Sequence, residues 1–176
     1  MIIGNQEAKN RLQKYLEQHV WVSSGQASFF LLYCPANIGK AAIALELAQS
    51  YLGPYVQWGL LHIKDFSDIL GKKHTIKIEE NTTTEEYKTL YNEHHYQDVW
   101  VREINNWLQQ SAFGWSKILL IENIERMTRE ATNAFLKACE EPLAKRIIIA
   151  TTSNKAKILE TILSRAIAIA CSPLSN

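Results

Sequence analysis

The chain has 176 residues, 47% of them hydrophobic, which is enough for one globular core and too few for three domains. Lys plus Arg number 19 and Asp plus Glu 18, so the net charge is close to neutral. A protein held on nucleic acid through its phosphates carries a basic excess, so any DNA role here is indirect or confined to a local patch.

The N-terminus turns polar within a few residues, unlike a secretory signal. No apolar run approaches the roughly 20 residues of a membrane span. A cytoplasmic location is expected. Residues 6–18 place Ala8, Leu12, Tyr15 and Leu16 on one helical stripe. Phe29 to Tyr33 is a short, wholly apolar run, as expected of a strand buried on both faces. Pro35 and Gly39 punctuate the following turn. Residues 40–52, rich in Ala and Leu, predict a helix closed by Gly53-Pro54. Leu60 to Ile63 and His74 to Ile78 are candidate strands, and residues 79–98 form a polar, solvated insertion.

A helix over about 99–112 carries Val101, Ile104, Trp107 and Leu108 on one face, with Trp107 and Trp115 packed around the sheet edge. Ile118 to Ile121 is a second buried-strand run. Thr128 is a plausible N-cap for a helix over 129–140, stopped by Pro142. The charged residues from Glu125-Arg126 to Arg129-Glu130 predict a solvated helix start. Ile147 to Thr151 reads as a strand, residues 155–164 as a short helix, and Ala166 to Ala170 as a last strand. Strands alternating with helices predict an α/β fold whose strands share one parallel sheet. Cys34, Cys139 and Cys171 are odd in number and form no C-x-x-C pair, so neither a zinc site nor a disulfide framework is signalled. His94-His95 in the polar insertion is not expected to bind metal.

Three short elements carry chemistry. The first is the strand–turn–helix containing Cys34-Pro35-Ala36-Asn37-Ile38-Gly39-Lys40-Ala41. In a P-loop, G-x-x-x-x-G-K-[ST], backbone N–H groups cradle phosphates, the lysine reaches the β and γ phosphates, and the hydroxyl binds Mg²⁺. Gly39 and Lys40 match that pattern, whereas Cys34 replaces the first glycine and Ala41 the hydroxyl. Alone, this is equally a βα turn with a solvated lysine. The second is Ile118 to Met127, where Glu122 and Asn123 stand at the end of a buried strand. A carboxylate pair in that place holds Mg²⁺ and activates water. Asn123 cannot accept a proton, and losing a general base costs about 10²–10⁴-fold in rate. The third is Lys157 to Ala166, ending in Ser164-Arg165-Ala166. By itself Arg165 is a surface cation, paired with a nearby carboxylate such as Glu160.

Taken in order, with the stretch from Glu125 to Pro142 and the run from Ile147 to Asn154, these elements resemble the clamp-loader branch of the AAA+ ATPases. The subunit family most similar is the delta-prime type of bacterial DNA polymerase III, with gamma/tau next. Two segments are specific. Glu125–Pro142 is similar to the family's ERMT-x-x-A-x-NALLK-x-LEEP, and Ile158–Ala166 to its LL-x-TI-x-SRC. The resemblance covers nearly the whole chain outside 54–98.

The resemblance implies a RecA-like domain over 1–176, without the helical lid and collar that follow in the family. It implies partners: gamma/tau and delta subunits, with a sliding clamp and primed DNA engaged through the assembly. It also implies that Arg165 reaches the ATP site of a neighbouring subunit. Cys34, Gly39, Lys40, Ala41, Glu122, Asn123 and Thr152 then line a degenerate nucleotide site, with no tightly bound cofactor and at most weak binding of ATP and Mg²⁺. The family's four-cysteine zinc module has no counterpart, since Gly53 to Ser67 holds no cysteine. The departures at Cys34, Ala41 and Asn123 fit a stator, an interaction protein. The alternatives are an ATP-hydrolysing subunit of the gamma/tau type and a scaffold unrelated to replication.

Overall fold

The structure, a computed structural model, describes residues 5–19, 29–64, 101–112, 116–127, 129–140 and 145–172. The expected strand at 74–78, the insertion at 79–98, His94-His95, Trp115, the Thr128 cap and Pro142 lie outside the described residues. In chain order the elements are α1 (Gln6–His19), β1 (Phe29–Tyr33), α2 (Lys40–Leu52), α3 (Val56–Gly59), β2 (Leu60–Ile63), α4 (Val101–Gln109), β3 (Lys117–Ile121), α5 (Arg129–Glu140), β4 (Arg146–Thr152), α6 (Glu160–Leu163) and β5 (Ile167–Ala170). Single 3₁₀ turns occur at Gly53–Tyr55, Ile124–Arg126 and Lys155–Lys157. Among the described residues, no helix is long and apolar enough to cross a membrane.

The five strands form one all-parallel sheet in the order β2-β3-β4-β1-β5. The four runs expected to share a sheet do so, and Leu60–Ile63 joins them as an edge strand among the described residues. Alternate residues of each strand enter different layers. Phe29 and Leu31, with Leu119, Ile121, Ile148 and Ala150, face α4, α5 and α6. Phe30 and Leu32, with Ile118, Leu120, Ile147 and Ile149, face α1 and α2. Burial on both faces is why these strands read as unbroken apolar runs rather than alternating ones. Ala8, Leu12 and Leu16 of α1 are buried as their spacing predicts.

One segment departs from expectation. Residues 155–164 are not a single helix. Asn154 Oδ1 accepts the amide of Ala156 and starts a 3₁₀ turn, and extended backbone at Ile158 and Leu159 then drives Ile158 into the core before α6 begins.

Two buried cations hold the lower end of the sheet. Lys117 and Arg146 begin β3 and β4, pair in register, and are 3% and 7% exposed. Both reach the C-terminal end of α4. Lys117 Nζ donates to the Trp107 carbonyl at 2.7 Å and lies 4.6 Å from the Trp107 ring centroid. Arg146 Nε donates to the Leu108 carbonyl at 2.6 Å, and its Nη2 to that of Gln110. The last carbonyls of a helix lack intrahelical partners and carry partial negative charge, so cations are suited to satisfy them.

Burial and the neighbouring Arg146 lower Lys117 from 10.5 to about 8. The unfolded chain therefore holds the extra proton between about pH 8 and 10.5, and folding is favoured as pH rises through that window. The unfolding free energy of the parent minus that of Lys117→Met is expected to climb by about 1–3 kcal/mol across it. The subtraction removes thiols such as Cys139, which burial raises to about 12 and which act in the opposite direction at high pH. A flat difference measured by urea unfolding would remove Lys117 from this role.

Candidate functional site

The turn after β1 is built by strand alternation and two left-handed residues. Cys34 continues β1 by one position, its amide donating to the Thr152 carbonyl at 3.4 Å. Its side chain follows Phe30 and Leu32 into the α1/α2 layer and is 8% exposed. Its side chain therefore belongs to the core, while its carbonyl faces the turn. Asn37 and Gly39 have φ of 63° and 77°, a region that glycine and asparagine tolerate best. Gly39 is the N-cap of α2, and Lys40 and Ala41 open the helix.

Lys40 is not solvated. It is 6% exposed, and its ammonium donates to the carbonyls of Cys34 at 2.9 Å and Pro35 at 2.7 Å. The loop thus closes on its own lysine. Cys171, just past β5, donates its amide to the Tyr33 carbonyl at 3.0 Å and lies beside Cys34. Burial, with Cys34 beside it, pushes the Cys171 thiol up to about 12, so it is an unreactive core thiol. The sequence places these two cysteines far apart; the β1–β5 register makes them neighbours.

At the end of β3, Glu122 is anchored by its amide to the Ile63 carbonyl at 2.8 Å. Its carboxylate oxygen Oε1 lies 2.7 Å from His62 Nε2. His62, a polar residue inside the apolar run of β2, was not singled out in the sequence. Its register partner is Leu120, so it shares a sheet face with Glu122. The signal was the histidine itself, interrupting LLHI.

Asn123 adopts φ 53° and ψ 51°, and its amide donates to Thr151 Oγ1 at 3.3 Å. That left-handed conformation suits asparagine and disfavours glutamate by about 1–2 kcal/mol. Asn123→Glu is therefore expected to lower stability by about 1 kcal/mol and to produce no ATP turnover. Catalytic parts that act as a unit are not restored one at a time, and the hydroxyl at position 41 is still missing. Phosphate release by this variant alone would contradict that.

Thr152 is fully buried at the end of β4, and its Oγ1 accepts the Asn154 amide at 3.1 Å. Glu125 is not a solvated residue, as the sequence suggested. It is half-buried, and its Oε1 accepts the Ser153 amide at 3.0 Å, tying the turn after β3 to the end of β4. Cys34, Gly39, Lys40, Glu122, Asn123 and Thr152 are therefore gathered at the C-terminal ends of adjacent strands, where ligands of open parallel sheets bind. Among the described residues, no group of three His, Cys, Asp or Glu side chains is placed to hold a metal ion.

Arg165 stands elsewhere. It precedes β5, at the edge where the strands begin, whereas the Lys40 turn lies where they end. A five-residue strand such as β1 separates those edges by about 16 Å. Arg165 Nη1 donates to the Thr161 carbonyl at 2.8 Å and to Ser164 Oγ at 3.4 Å. Its Nη2 makes a 2.8 Å ion pair with Glu140, the last residue of α5. The surface-cation reading of Arg165 pairs it with a nearby carboxylate such as Glu160; in the structure its ion pair is with Glu140.

Among the described residues, a five-stranded parallel sheet between helical layers, with a strand–turn–helix unit opening α2 at its strand ends, defines a RecA-like α/β domain. Solved structures share this fold. One is a DNA polymerase III gamma subunit-related protein of Thermotoga maritima, with TM-score 0.62 and 22% identity over 94% of this chain and 46% of that one. Another is the RuvB Holliday junction branch migration motor of the same organism, with TM-score 0.60 and 16% identity over 96% of this chain and 45% of that one. Among curated relatives, a DNA polymerase III subunit delta' of Pseudomonas aeruginosa is 27% identical over 163 residues, 88% of this chain and 47% of the relative. One of Haemophilus influenzae is 36% identical over 66 residues, 37% of this chain and 20% of the relative. The chain thus spans at most about half the length of these relatives. The model of the family described as DNA polymerase III, delta subunit, matches residues 4–175, and the chain belongs to that family.

Proposed function

We propose that this chain is a stator-like clamp-loader subunit of the bacterial replicative DNA polymerase III. Its AAA+ domain supports the assembly that loads a sliding clamp on primed DNA, beside gamma/tau and delta subunits. It does not turn over ATP itself, and it presents Arg165 to nucleotide held by a neighbouring ATPase subunit. Family membership supports the setting. The observation that carries the stator reading is Lys40: the residue that should meet phosphate is 6% exposed and donates to two carbonyls of its own loop. Two further features agree. Glu122 faces His62, and Ala41 offers no hydroxyl for Mg²⁺. Arg165, at the opposite edge of the sheet, lies away from the chain's own Lys40 turn, which supports a finger that acts in trans.

Titration of the chain with Mg-ATP by calorimetry is expected to give a dissociation constant no tighter than about 0.1–1 mM, near −4 to −5.5 kcal/mol. The chain alone should release no phosphate. Micromolar binding, or turnover by the isolated chain, would replace this reading with that of a gamma/tau-type ATPase.

A further inference from the structure

Arg165 is gripped on one side and open on another. A guanidinium has five N–H donors. Thr161 O, Ser164 Oγ and Glu140 Oε1 take three of them. Nε–H and the second Nη2–H have no acceptor among the described residues. The grip joins two elements, because Thr161 and Ser164 belong to the segment around α6 whereas Glu140 ends α5.

Glu140 is also at an awkward place for an anion. The C-terminal end of a helix carries partial negative charge, so a carboxylate there is disfavoured unless a cation faces it. Both partners remain partly open, with side chains 34% and 49% exposed. An exposed ion pair contributes little to stability. Together with the Thr161 and Ser164 contacts, it favours one orientation of a long side chain.

We propose that Glu140 is a positioning residue for Arg165, fixing the guanidinium plane so that its two unfilled donors are presented to phosphate oxygens of a neighbouring subunit's nucleotide. The inference rests on the trans role of Arg165 given above. An arginine already held in one rotamer loses less freedom on meeting phosphate than one that must first be ordered. Glu140 touches no substrate and acts through Arg165 alone.

The test is steady-state ATP hydrolysis by the complex reconstituted with its ATPase subunits, with assembly checked by size exclusion and each variant by thermal melting. Glu140→Ala is expected to lower kcat about 10-fold at unchanged KM, since misplacing a catalytic group costs rate while the nucleotide stays bound by its own subunit. Glu140→Gln keeps an acceptor oxygen for Nη2 and should recover most of that loss. Glu140→Lys repels the guanidinium and should fall towards Arg165→Ala. In the Arg165→Ala background, Glu140→Ala should have no further effect. A parental rate in Glu140→Ala beside a low rate in Arg165→Ala would overturn the proposal and leave the arginine's role standing. A rate raised by Glu140→Ala would also overturn it, making the ion pair a restraint instead. A parental rate in Arg165→Ala would sink the underlying reading itself.

Discussion

Arg165→Ala in the reconstituted complex is expected to reduce ATP turnover about 10³–10⁵-fold, equivalent to about 4–7 kcal/mol of transition-state stabilisation. The guanidinium stays charged at every physiological pH and offers a planar fork to phosphate oxygens, so its loss removes charge and geometry together. Lysine restores only the charge, and Arg165→Lys should remain well below the parent. The same change touches little of the fold. Arg165 is one-third exposed, and its partners are a carbonyl, a hydroxyl and a half-exposed carboxylate. Exposed pairs of this kind contribute about 0.2–1 kcal/mol. Unfolding free energy should therefore stay within about 1 kcal/mol of the parent, with assembly intact. A variant that hydrolyses normally in a correctly assembled complex, or a domain that unfolds, would return Arg165 to a structural role.

Phe135→Ala should have the largest effect on folding, a loss of about 3–5 kcal/mol. Phe135 is fully buried on α5 and meets Phe29 edge-to-face, with centroids 6.2 Å apart and planes at 88°. Its ring belongs to the buried layer between α5 and the sheet that also holds Leu31, Ile148 and Ile162. Truncation leaves a void that a rigid parallel sheet cannot collapse into, and it removes the aromatic contact as well. A domain of this size is typically stable by about 5–15 kcal/mol, so the variant loses a large share. Urea unfolding should show a lower midpoint at unchanged slope. A cost below about 1 kcal/mol would mean that α5 is not seated on the sheet through this ring. Because α5 ends in Glu140, the same loosening should weaken the hold on Arg165.

Much of this architecture is legible in residue order because its strands are buried on both sides. Phe29–Tyr33, Ile118–Ile121 and Ile147–Thr151 stand out as apolar runs between helix-forming segments. Strand order is not local information, however. Nothing near Phe29 announces that it pairs with Ile148, or that Phe30 pairs with Ile167. The candidate site divides the same way. Gly39, Lys40, Glu122 and Asn123 are visible as motif positions, and the left-handed backbone at Asn123 gives a reason for asparagine there.

The self-contained bonding of Lys40 and the His62–Glu122 contact depend on packing between elements and leave no spacing signature. Arg165 shows both cases. Glu160 is five residues earlier, a separation that does not align side chains on a helix, whereas Thr161 is four earlier and its carbonyl is the one contacted. Glu140 comes near only because α5 docks beside α6.

The strand order also sets when the chain can begin to fold. β1, second from one edge, has as its neighbours β4 and β5, the last two strands described. During synthesis at about 5–20 residues per second, Phe29–Tyr33 emerges on the order of 10 s before the residues that will flank it. For that interval a strongly apolar, β-prone segment has neither edge covered and invites association with other nascent chains. Nucleation through helix α1 packing on α2 would shelter one face of it but neither edge. Any chain ending before Arg146 leaves that strand without either of its two sheet neighbours.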